Sequence, residues 1–225
     1  MDKITWIGQA GLLFEHNGYK IMLDPYLSES VVKVNPKNYR RVEVDESLFD
    51  IKPDIMIFTH NHLDHYDPET VPRFISDKTN VTVLSPRSVW QEVRKFGRNN
   101  NCVIFNRHTE WTECGLTFTA VKAEHSDPYA VGIIIDDGER KYYVTGDTLY
   151  NSEIFEDIPE DIYAIFLPVN GVGDNMNMVD AARFAKRVGA EKVVPLHTGM
   201  FDDLNPNDLD CDNKVIPEIY KEIIL

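Results

Sequence analysis

The sequence predicts an α/β fold in which two β-sheets pack together with helices on their outer faces. Short apolar runs bounded by turn residues predict strands both early and late in the chain, and helical patterns lie between them. No repeat, low-complexity segment or Gly/Ser-rich linker divides the chain, and 225 residues with 43% hydrophobic composition suffice for one sizeable core. We therefore expect a single domain over residues 1–225.

The first third of the chain predicts paired strands. Ile4–Ile7 and Leu12–Phe14 precede Asn17-Gly18, a favoured hairpin turn, and Tyr19–Leu23 returns from that turn. Ile55–Phe58 is a short apolar run of the kind found in buried strands. Its C-terminal end leads into a strongly polar stretch.

The remaining strands alternate with helices. Val81–Leu84 predicts a strand, and a helix should follow near Ser88–Lys95 with Ser88 as its N-cap. Asp136-Asp137-Gly138 should form the turn of a hairpin. The later predicted strands are Leu116–Val121, Val131–Ile135, Lys141–Thr145, Ala164–Leu167 and Val193–Leu196.

Two helices are expected in the last quarter of the chain. The first has Asn177 as its N-cap and Gly189 at its C-terminal end. Its apolar face, at helical spacing, is formed by Ala181, Phe184, Ala185 and Val188. Ile216–Ile224 predicts a short terminal helix.

Charge and composition exclude several classes of protein. The formal net charge is -14, from 23 basic and 37 acidic residues, so the surface repels phosphate backbones and nucleic acid is not an expected partner. The sequence contains no recognisable signal peptide or membrane-spanning run, which predicts a cytoplasmic protein. Its 3 cysteines, widely spaced, predict neither disulfides nor a cysteine-based zinc site.

The stretch THNHLDHYD, residues 59 to 67, has the composition of a metal site. His60 and His62 are two residues apart, so in an extended segment their side chains leave on the same side and can meet at one ion. Asp64 and His65 follow at a turn and can reach a second ion nearby. Imidazole and carboxylate ligands suit zinc, manganese or iron. A merely polar loop is the weaker interpretation, because four potential ligands within six residues are costly to group without a cation.

Further ligands must come from elsewhere in the chain. His125, Asp147 and His197 each lie just past the C-terminal end of a predicted strand, as His60 does, and this shared placement predicts a single cluster. His16 and His108 lie in polar or turn segments, where we expect exposed side chains that bind no metal.

The order His60-x-His62-x-Asp64-His65, then His125, Asp147 and His197, resembles the metallo-β-lactamase superfamily. The resemblance implies a four-layer αββα sandwich with two mixed β-sheets and two divalent metal ions, zinc or manganese, with iron also compatible. It further implies that His60, His62 and His125 hold one ion, that Asp64, His65 and His197 hold the other, and that Asp147 bridges them. IGQAGLLFE, LDPYLS and the GDT around Asp147 look like the branch of L-ascorbate-6-phosphate lactonase and its relatives.

These residues predict a metal-dependent hydrolase in which a metal-bound hydroxide attacks a small-molecule substrate. Asp64 would orient that nucleophile and accept its proton. A lactonase or other ester hydrolase, acting on a substrate with or without a phosphate, is the first interpretation. A phosphodiesterase of the same fold is the second, and a non-catalytic metal-binding sensor is the third. The sequence leaves self-association open.

Two segments are candidates for substrate binding. Lys37, Arg40 and Arg41 belong to the most basic segment of this acidic chain and could clamp a phosphate, although an ordinary solvated loop fits the same residues. Asn170 follows a predicted strand and could line the pocket or simply form a turn. Asp24 could orient a ligand histidine from behind or only end a strand.

Overall fold

A computed structural model describes residues 1–225 and contains two mixed six-stranded β-sheets. The first three strands of the first sheet are antiparallel, and the others continue it in parallel. In spatial order they are β1 (Lys3–Gly8), β2 (Gly11–His16), β3 (Tyr19–Leu23), β4 (Ile55–Ile57), β5 (Thr82–Ser85) and β6 (Asn101–Ile104).

The second sheet has the same kind of arrangement. Its first four strands along the chain are antiparallel, and the last two continue the sheet in parallel. Its strands, from one edge to the other, are β12 (Lys192–Leu196), β11 (Ile162–Pro168), β10 (Lys141–Val144), β9 (Val131–Asp136), β8 (Leu116–Lys122) and β7 (Glu110–Glu113). The predicted hairpin through Asp136-Asp137-Gly138 joins β9 to β10 and is confirmed.

The structure contains four α-helices. They are α1 (Ser30–Val34), α2 (Val71–Phe74), α3 (Arg87–Val93) and α4 (Met178–Val188). Short 3₁₀ turns occupy Glu46–Asp50, Ser152–Glu156 and Pro206–Asp208. α2 and α3 share an apolar cluster with outward residues of the first sheet, and α4 shares another with outward residues of the second.

A third apolar cluster fills the space between the sheets, where Phe14 and Phe166 meet edge to face with ring centroids 6.1 Å apart. These three clusters confirm the αββα layering. α4, the longest helix, has 11 residues, and none of the helices has the length and apolarity needed to span a membrane.

α4 forms as its sequence predicts. Oδ1 of Asn177 accepts hydrogen bonds from the backbone N–H groups of Val179 and Asp180, and Gly189 ends the helix with a φ of +75°. The predicted apolar face is buried against the second sheet. This helix therefore fixes the strand connection that leads to His197.

The terminal helix predicted over Ile216–Ile224 is wrong. This segment instead runs beside the edge strand β1, where the N–H of Tyr220 donates to the carbonyl of Trp6 over 2.7 Å and that of Ile223 to Ile4 over 2.8 Å. Pro217 lacks an N–H, and β1 offers unpaired backbone groups at the sheet edge. Pairing with the sheet therefore outweighs the weak helical pattern.

Other predictions failed in detail. Helix α3 begins at Arg87 after Pro86, so Ser88 is not its cap, and the Ser88 hydroxyl donates to Asp127 over 2.5 Å. His16 is 8% exposed rather than solvated, because it packs beneath the turn at Gly115. The edge strands β6 and β7 were not predicted, since their side chains are only partly buried and their sequences are largely polar.

Candidate metal centre

All seven predicted ligands come together where the C-terminal ends of strands from both sheets meet. The residues are His60, His62, Asp64, His65, His125, Asp147 and His197, and we call them the His/Asp cluster. They form three overlapping groups in which the potential donor atoms lie within 4.8 Å of one another. Asp147 belongs to the group with His60 and His65, between the other two groups.

Backbone contacts between the two sheets hold the cluster together. The N–H of Val131 in the second sheet donates to the carbonyl of Thr59 over 3.0 Å. Gly146 has a φ of +60°, and a Cβ at this position would lie 2.9 Å from Cβ of Thr59. Only glycine allows this close approach together with this backbone conformation. The approach brings Asp147 beside the histidines of the first sheet.

The first half of the cluster consists of His60, His62 and His125. Nε2 of His125 lies 3.1 Å from Nδ1 of His62. Outside this contact, Nδ1 of His60 lies 3.0 Å from the Thr59 hydroxyl, and Nδ1 of His125 lies 3.1 Å from the Asp174 carbonyl. Because these oxygens contact Nδ1 of each ring, Nε2 of His60 and Nε2 of His125 are free to face the interior of the cluster.

The second half contains Asp64, His65 and His197, with Asp147 beside them. Nε2 of His197 lies 3.2 Å from an Asp64 oxygen and 3.3 Å from an Asp147 oxygen. Nε2 of His65 lies 3.2 Å from the other Asp147 oxygen, while its Nδ1 lies 2.8 Å from Asp24. Asp147 thus touches both histidines through different oxygens.

The cluster fits divalent cations. Nε2 of His60, Nε2 of His65 and Oδ1 of Asp147 are buried and make no well-aligned hydrogen bond, although the last two lie 3.2 Å apart. Burying three such atoms without well-formed hydrogen bonds costs free energy, and a cation with nitrogen and oxygen ligands would satisfy all of them. The donor set, imidazole and carboxylate without thiolate, suits zinc, manganese or iron.

The electrostatic environment keeps the carboxylates ionised. Burial raises the pKa of Asp64 and of Asp147, but the neighbouring histidines outweigh it and hold both pKa values below their usual range. Burial also lowers the pKa of His60, so that its imidazole is neutral at neutral pH. For His197, the Asp147 and Asp64 carboxylates outweigh burial and raise the pKa to about 9. A cation entering this site would meet negative charge and a free imidazole lone pair.

The cluster opens into a cavity of about 240 Å³ with a polar wall. Its lining residues are Asn38, His62, Asp64, His125, Ser126, Asp147, Asn170, Val172, Gly173, Asp174, Asn175, His197, Phe201 and Asp202. Only Val172 and Phe201 are hydrophobic, and no lysine or arginine is among the lining residues. The wall itself therefore supplies acceptors and carboxylates but neither an ammonium nor a guanidinium group.

The structure does not bring the basic segment to this wall, although its neighbour Asn38 lies there. Arg40 is buried, and its guanidinium donates to the Tyr26 carbonyl over 2.7 Å. Arg41 pairs with Asp203, and Lys37 is exposed. The expectation that this segment clamps a phosphate is not supported by these positions. Asn170, by contrast, lies in the wall.

Several residues that contact the cluster were not predicted. Nε2 of Gln9 donates to Asp64 over 2.8 Å, and the side-chain N–H of Asn175 donates to Asp147 over 2.8 Å. Gln9 is buried and has a φ of +51°. Its position between two glycines in IGQAG indicates a tight turn, but nothing local indicates a contact with a residue 55 positions away.

Comparison with known proteins defines the class. The family model described as Beta-lactamase superfamily domain matches residues 19–198, which include the whole His/Asp cluster. The chain belongs to this superfamily.

Similar proteins share most of its length. A UPF0173 metal-dependent hydrolase from Bacillus thuringiensis is 28% identical, over 88% of this chain and 86% of the relative. Igni18, a metallo hydrolase from the archaeon Ignicoccus hospitalis, superposes with a TM-score of 0.77 at 21% identity, over 98% of this chain and 97% of the other. An isothiocyanate hydrolase from Delia radicum gut bacteria gives a TM-score of 0.77 at 20% identity, over 99% and 98%.

Proposed function

We propose that this protein is a metal-dependent hydrolase that holds two divalent cations, zinc or manganese with iron also compatible, in the His/Asp cluster. The observation that carries the proposal is the convergence of three buried potential ligand atoms, on His60, His65 and Asp147, that make no well-aligned hydrogen bond. The Bacillus thuringiensis relative, named a metal-dependent hydrolase, and the structural likeness to the isothiocyanate hydrolase support the same class.

The three groups of potential ligands suggest how the cations are divided. His60, His62 and His125 would hold one, Asp64, His65 and His197 the other, and Asp147, which reaches toward both halves, would bridge them. Residues of both sheets contribute to each half, which supports one catalytic domain over residues 1–225.

When bound, such cations lower the pKa of water towards neutrality and polarise the substrate oxygen that gains charge. Asp64 is half-buried at the cavity wall, so its carboxylate can orient the attacking water and accept its proton. Gln9 donates to Oδ2 of Asp64 and fixes the carboxylate in this position. Asp24 fixes the ring of His65 from the opposite side of the cluster.

The cavity favours a small lactone or other carboxylic ester that carries no net negative charge. Its wall has no lysine or arginine, and it contains two aspartates, Asp174 and Asp202, besides the proposed cation ligands. Phosphodiesters and phosphorylated substrates would have only the cations to balance their charge, so phosphodiesterase activity is the second candidate. His62, Asp64 and His125 are half-buried beside the cavity rather than sealed from it, which makes a closed metal sensor the weakest candidate.

Elemental analysis of the purified protein, run with a substrate panel, tests the proposal. We expect about two divalent cations per chain and turnover of uncharged lactones and esters well above that of bis-(p-nitrophenyl) phosphate. Preferred turnover of the phosphodiester would replace the first substrate class with the second. A protein that holds its cations tightly and hydrolyses neither would be a sensor. A protein that binds no divalent cation would refute the proposal.

A further inference from the structure

The loop that follows β11, residues 170–175, contacts the three members of the His/Asp cluster that come latest in the chain. Asn170 contacts His197, the Asp174 carbonyl contacts His125, and Asn175 contacts Asp147. A β-bridge between Asn170 and Asn177 closes the loop, and the N–H of Gly171 donates to the carbonyl of Met176 over 3.1 Å. The loop is therefore built to support the cluster as well as to line the cavity.

A histidine that binds a cation through Nε2 must carry its proton on Nδ1, and that N–H needs an acceptor. Three histidines of the cluster meet this condition with oxygen atoms. Nδ1 of His60 faces a hydroxyl, Nδ1 of His65 faces the Asp24 carboxylate, and Nδ1 of His125 faces a backbone carbonyl. His62 differs from these three because its Nδ1 faces into the cluster, 3.1 Å from Nε2 of His125.

Among the histidines whose Nε2 faces the cluster, His197 is the exception. Its Nδ1 lies 2.9 Å from Nδ2 of Asn170, and Nε2 of Gln9 lies 3.1 Å from both ring nitrogens, so the polar atoms beside Nδ1 are nitrogens. The Gln9 nitrogen is already engaged, because it donates to Asp64. The acceptor that a cation-binding His197 requires must therefore come from Asn170.

The side chain of Asn170 contains an acceptor that is not used. Its Oδ1 is buried and has no hydrogen-bond partner. A half-turn of the carboxamide about the Cβ–Cγ bond exchanges Nδ2 and Oδ1, which provides His197 with an acceptor and Oδ1 with a donor in one step.

We propose that Asn170 is a positioning residue for His197. In the cation-loaded protein its Oδ1 accepts a hydrogen bond from Nδ1–H of His197 and thereby directs Nε2 towards the cation shared with Asp64. This inference rests on the proposed function, and it assigns Asn170 a role other than the substrate contact expected from sequence.

Measurements of cation affinity in the absence of substrate distinguish the two roles of Asn170. A residue that only contacts substrate changes KM and leaves cation affinity unaltered, whereas a residue that orients His197 changes cation affinity in the free protein. Cation affinity is measured by competition between the full chain and a chromophoric chelator for Zn²⁺ or Mn²⁺.

Asn170→Leu keeps the approximate shape and removes the acceptor, while Asn170→Asp keeps an acceptor and removes the amide donors. We expect Asn170→Leu to weaken one of the two cation sites by about 10–100-fold. Asn170→Asp should stay within about threefold of the parent protein, because a carboxylate accepts from Nδ1–H. Asn38→Leu is the matched control, since Asn38 lines the same cavity and makes no hydrogen bond to the cluster, and it should leave both affinities unchanged.

Equal weakening by Asn170→Asp and Asn170→Leu, or parent-like affinity in Asn170→Leu, would overturn the inference and leave the proposed function standing. A parent protein without cation affinity would overturn both. If Asn170→Leu does not fold, the long-range ¹H–¹⁵N spectrum of the loaded parent protein decides the matter. It must show His197 protonated on Nδ1 and not on Nε2, and the opposite tautomer would overturn the inference.

Discussion

The carboxylate of Asp24 lies 2.8 Å from Nδ1 of His65, and neither side chain reaches solvent. The same carboxylate accepts hydrogen bonds from the backbone N–H and the hydroxyl of Thr59. Thr59 in turn faces Nδ1 of His60. One buried acid outside the His/Asp cluster therefore orients histidines that belong to two different groups of ligands.

Replacing Asp24 with asparagine should weaken cation binding although the shape of the side chain is kept. The carboxamide carries no charge and has one acceptor oxygen, whereas Asp24 uses one oxygen for His65 and the Thr59 hydroxyl and the other for the Thr59 N–H. The asparagine therefore cannot accept all three hydrogen bonds. We expect cation affinity to fall by about 10–100-fold, measured by chelator competition. Asp54→Asn is the control, since Asp54 accepts from the backbone of Lys20 and touches no histidine of the cluster. Equal affinities for parent and Asp24→Asn would contradict the orienting role.

His65→Ala and Asp147→Ala should each abolish hydrolysis and lower the cation content. Each variant removes one of the converging buried donor atoms, and Asp147 contacts both His65 and His197. Elemental analysis and initial rates on the preferred ester check this expectation. A variant that keeps full activity with its metal complement would show that the ligands are assigned wrongly.

How far the sequence predicts the site depends on how close its parts lie along the chain. His60, His62, Asp64 and His65 were predicted because their spacing alone limits where the side chains can go. His125, Asp147 and His197 were predicted from their shared position after strands, which the structure brings to one place. Gln9 and Asn175 were missed because carboxamides are common in turns, and only the folded chain shows what they contact.

Contacts between residues distant in sequence limit two other expectations. Lys37, Arg40 and Arg41 were candidates for a phosphate clamp or an ordinary solvated loop, because charge does not identify the partner. In the structure Arg40 donates to a backbone carbonyl and Arg41 pairs with an aspartate. For residues 216 to 224, the local pattern was compatible with a helix, and hydrogen bonding to the edge of β1 decided otherwise. In both cases the competing interaction involves residues distant in sequence.

Gln9→Met should impair catalysis more than it impairs folding. Methionine has a similar length but no N–H, so Oδ2 of Asp64 loses its donor. We expect kcat to fall by about tenfold or more and the pH dependence of kcat/KM to shift, because both depend on the environment of Asp64. Gln91→Met on the exposed side of α3 is the matched control and should behave as the parent. Loss of thermal stability with unchanged kcat would show that Gln9 has only a structural role.

Asp157 should make stability dependent on pH far from the cluster. Its carboxylate, 7% exposed, accepts two hydrogen bonds from Arg107, at 2.7 and 2.8 Å, and one from the N–H of Lys122. Burial raises its pKa, but Arg107 and the backbone outweigh burial and lower the pKa to about 2. Because the folded-state pKa is depressed, the stabilisation is complete above the unfolded pKa of about 4 and is lost as pH falls towards 2.

We therefore expect Asp157→Asn to lower the free energy of unfolding by about 2 kcal/mol at pH 7 and by less at pH 3. Urea titrations at both pH values measure the difference. Glu160→Gln, at an exposed position nearby in sequence, should change stability little at either pH. A deficit in Asp157→Asn that is the same at pH 3 and pH 7 would mean that the charge of Asp157 is not the stabilising feature.

Gly146→Ala should destabilise the protein more than a comparable change at an open glycine. Both Gly146 and Gly138 have positive φ, so alanine is strained at either position. Only at Gly146 would the added Cβ meet other atoms, 2.9 Å from Cβ of Thr59 and 3.0 Å from the Val131 carbonyl. We expect Gly146→Ala to cost about 1–3 kcal/mol more than Gly138→Ala in thermal or urea unfolding. Equal costs would show that the sheets can separate locally at no penalty.

The extended segment beside β1 also bears on how copies of this protein can associate. The backbone groups of Asn213 and Val215 pair with Val193 on β12, and the residues around Tyr220 pair with β1, so one stretch of chain covers an edge of each sheet. β6 and β7 remain as the other two edges, and β7 carries Glu110 and Glu113. Two molecules that joined their sheets through β7 would bring these carboxylates together. Edge-to-edge aggregation through that strand is therefore opposed by charge, while β1 and β12 are blocked by the chain itself.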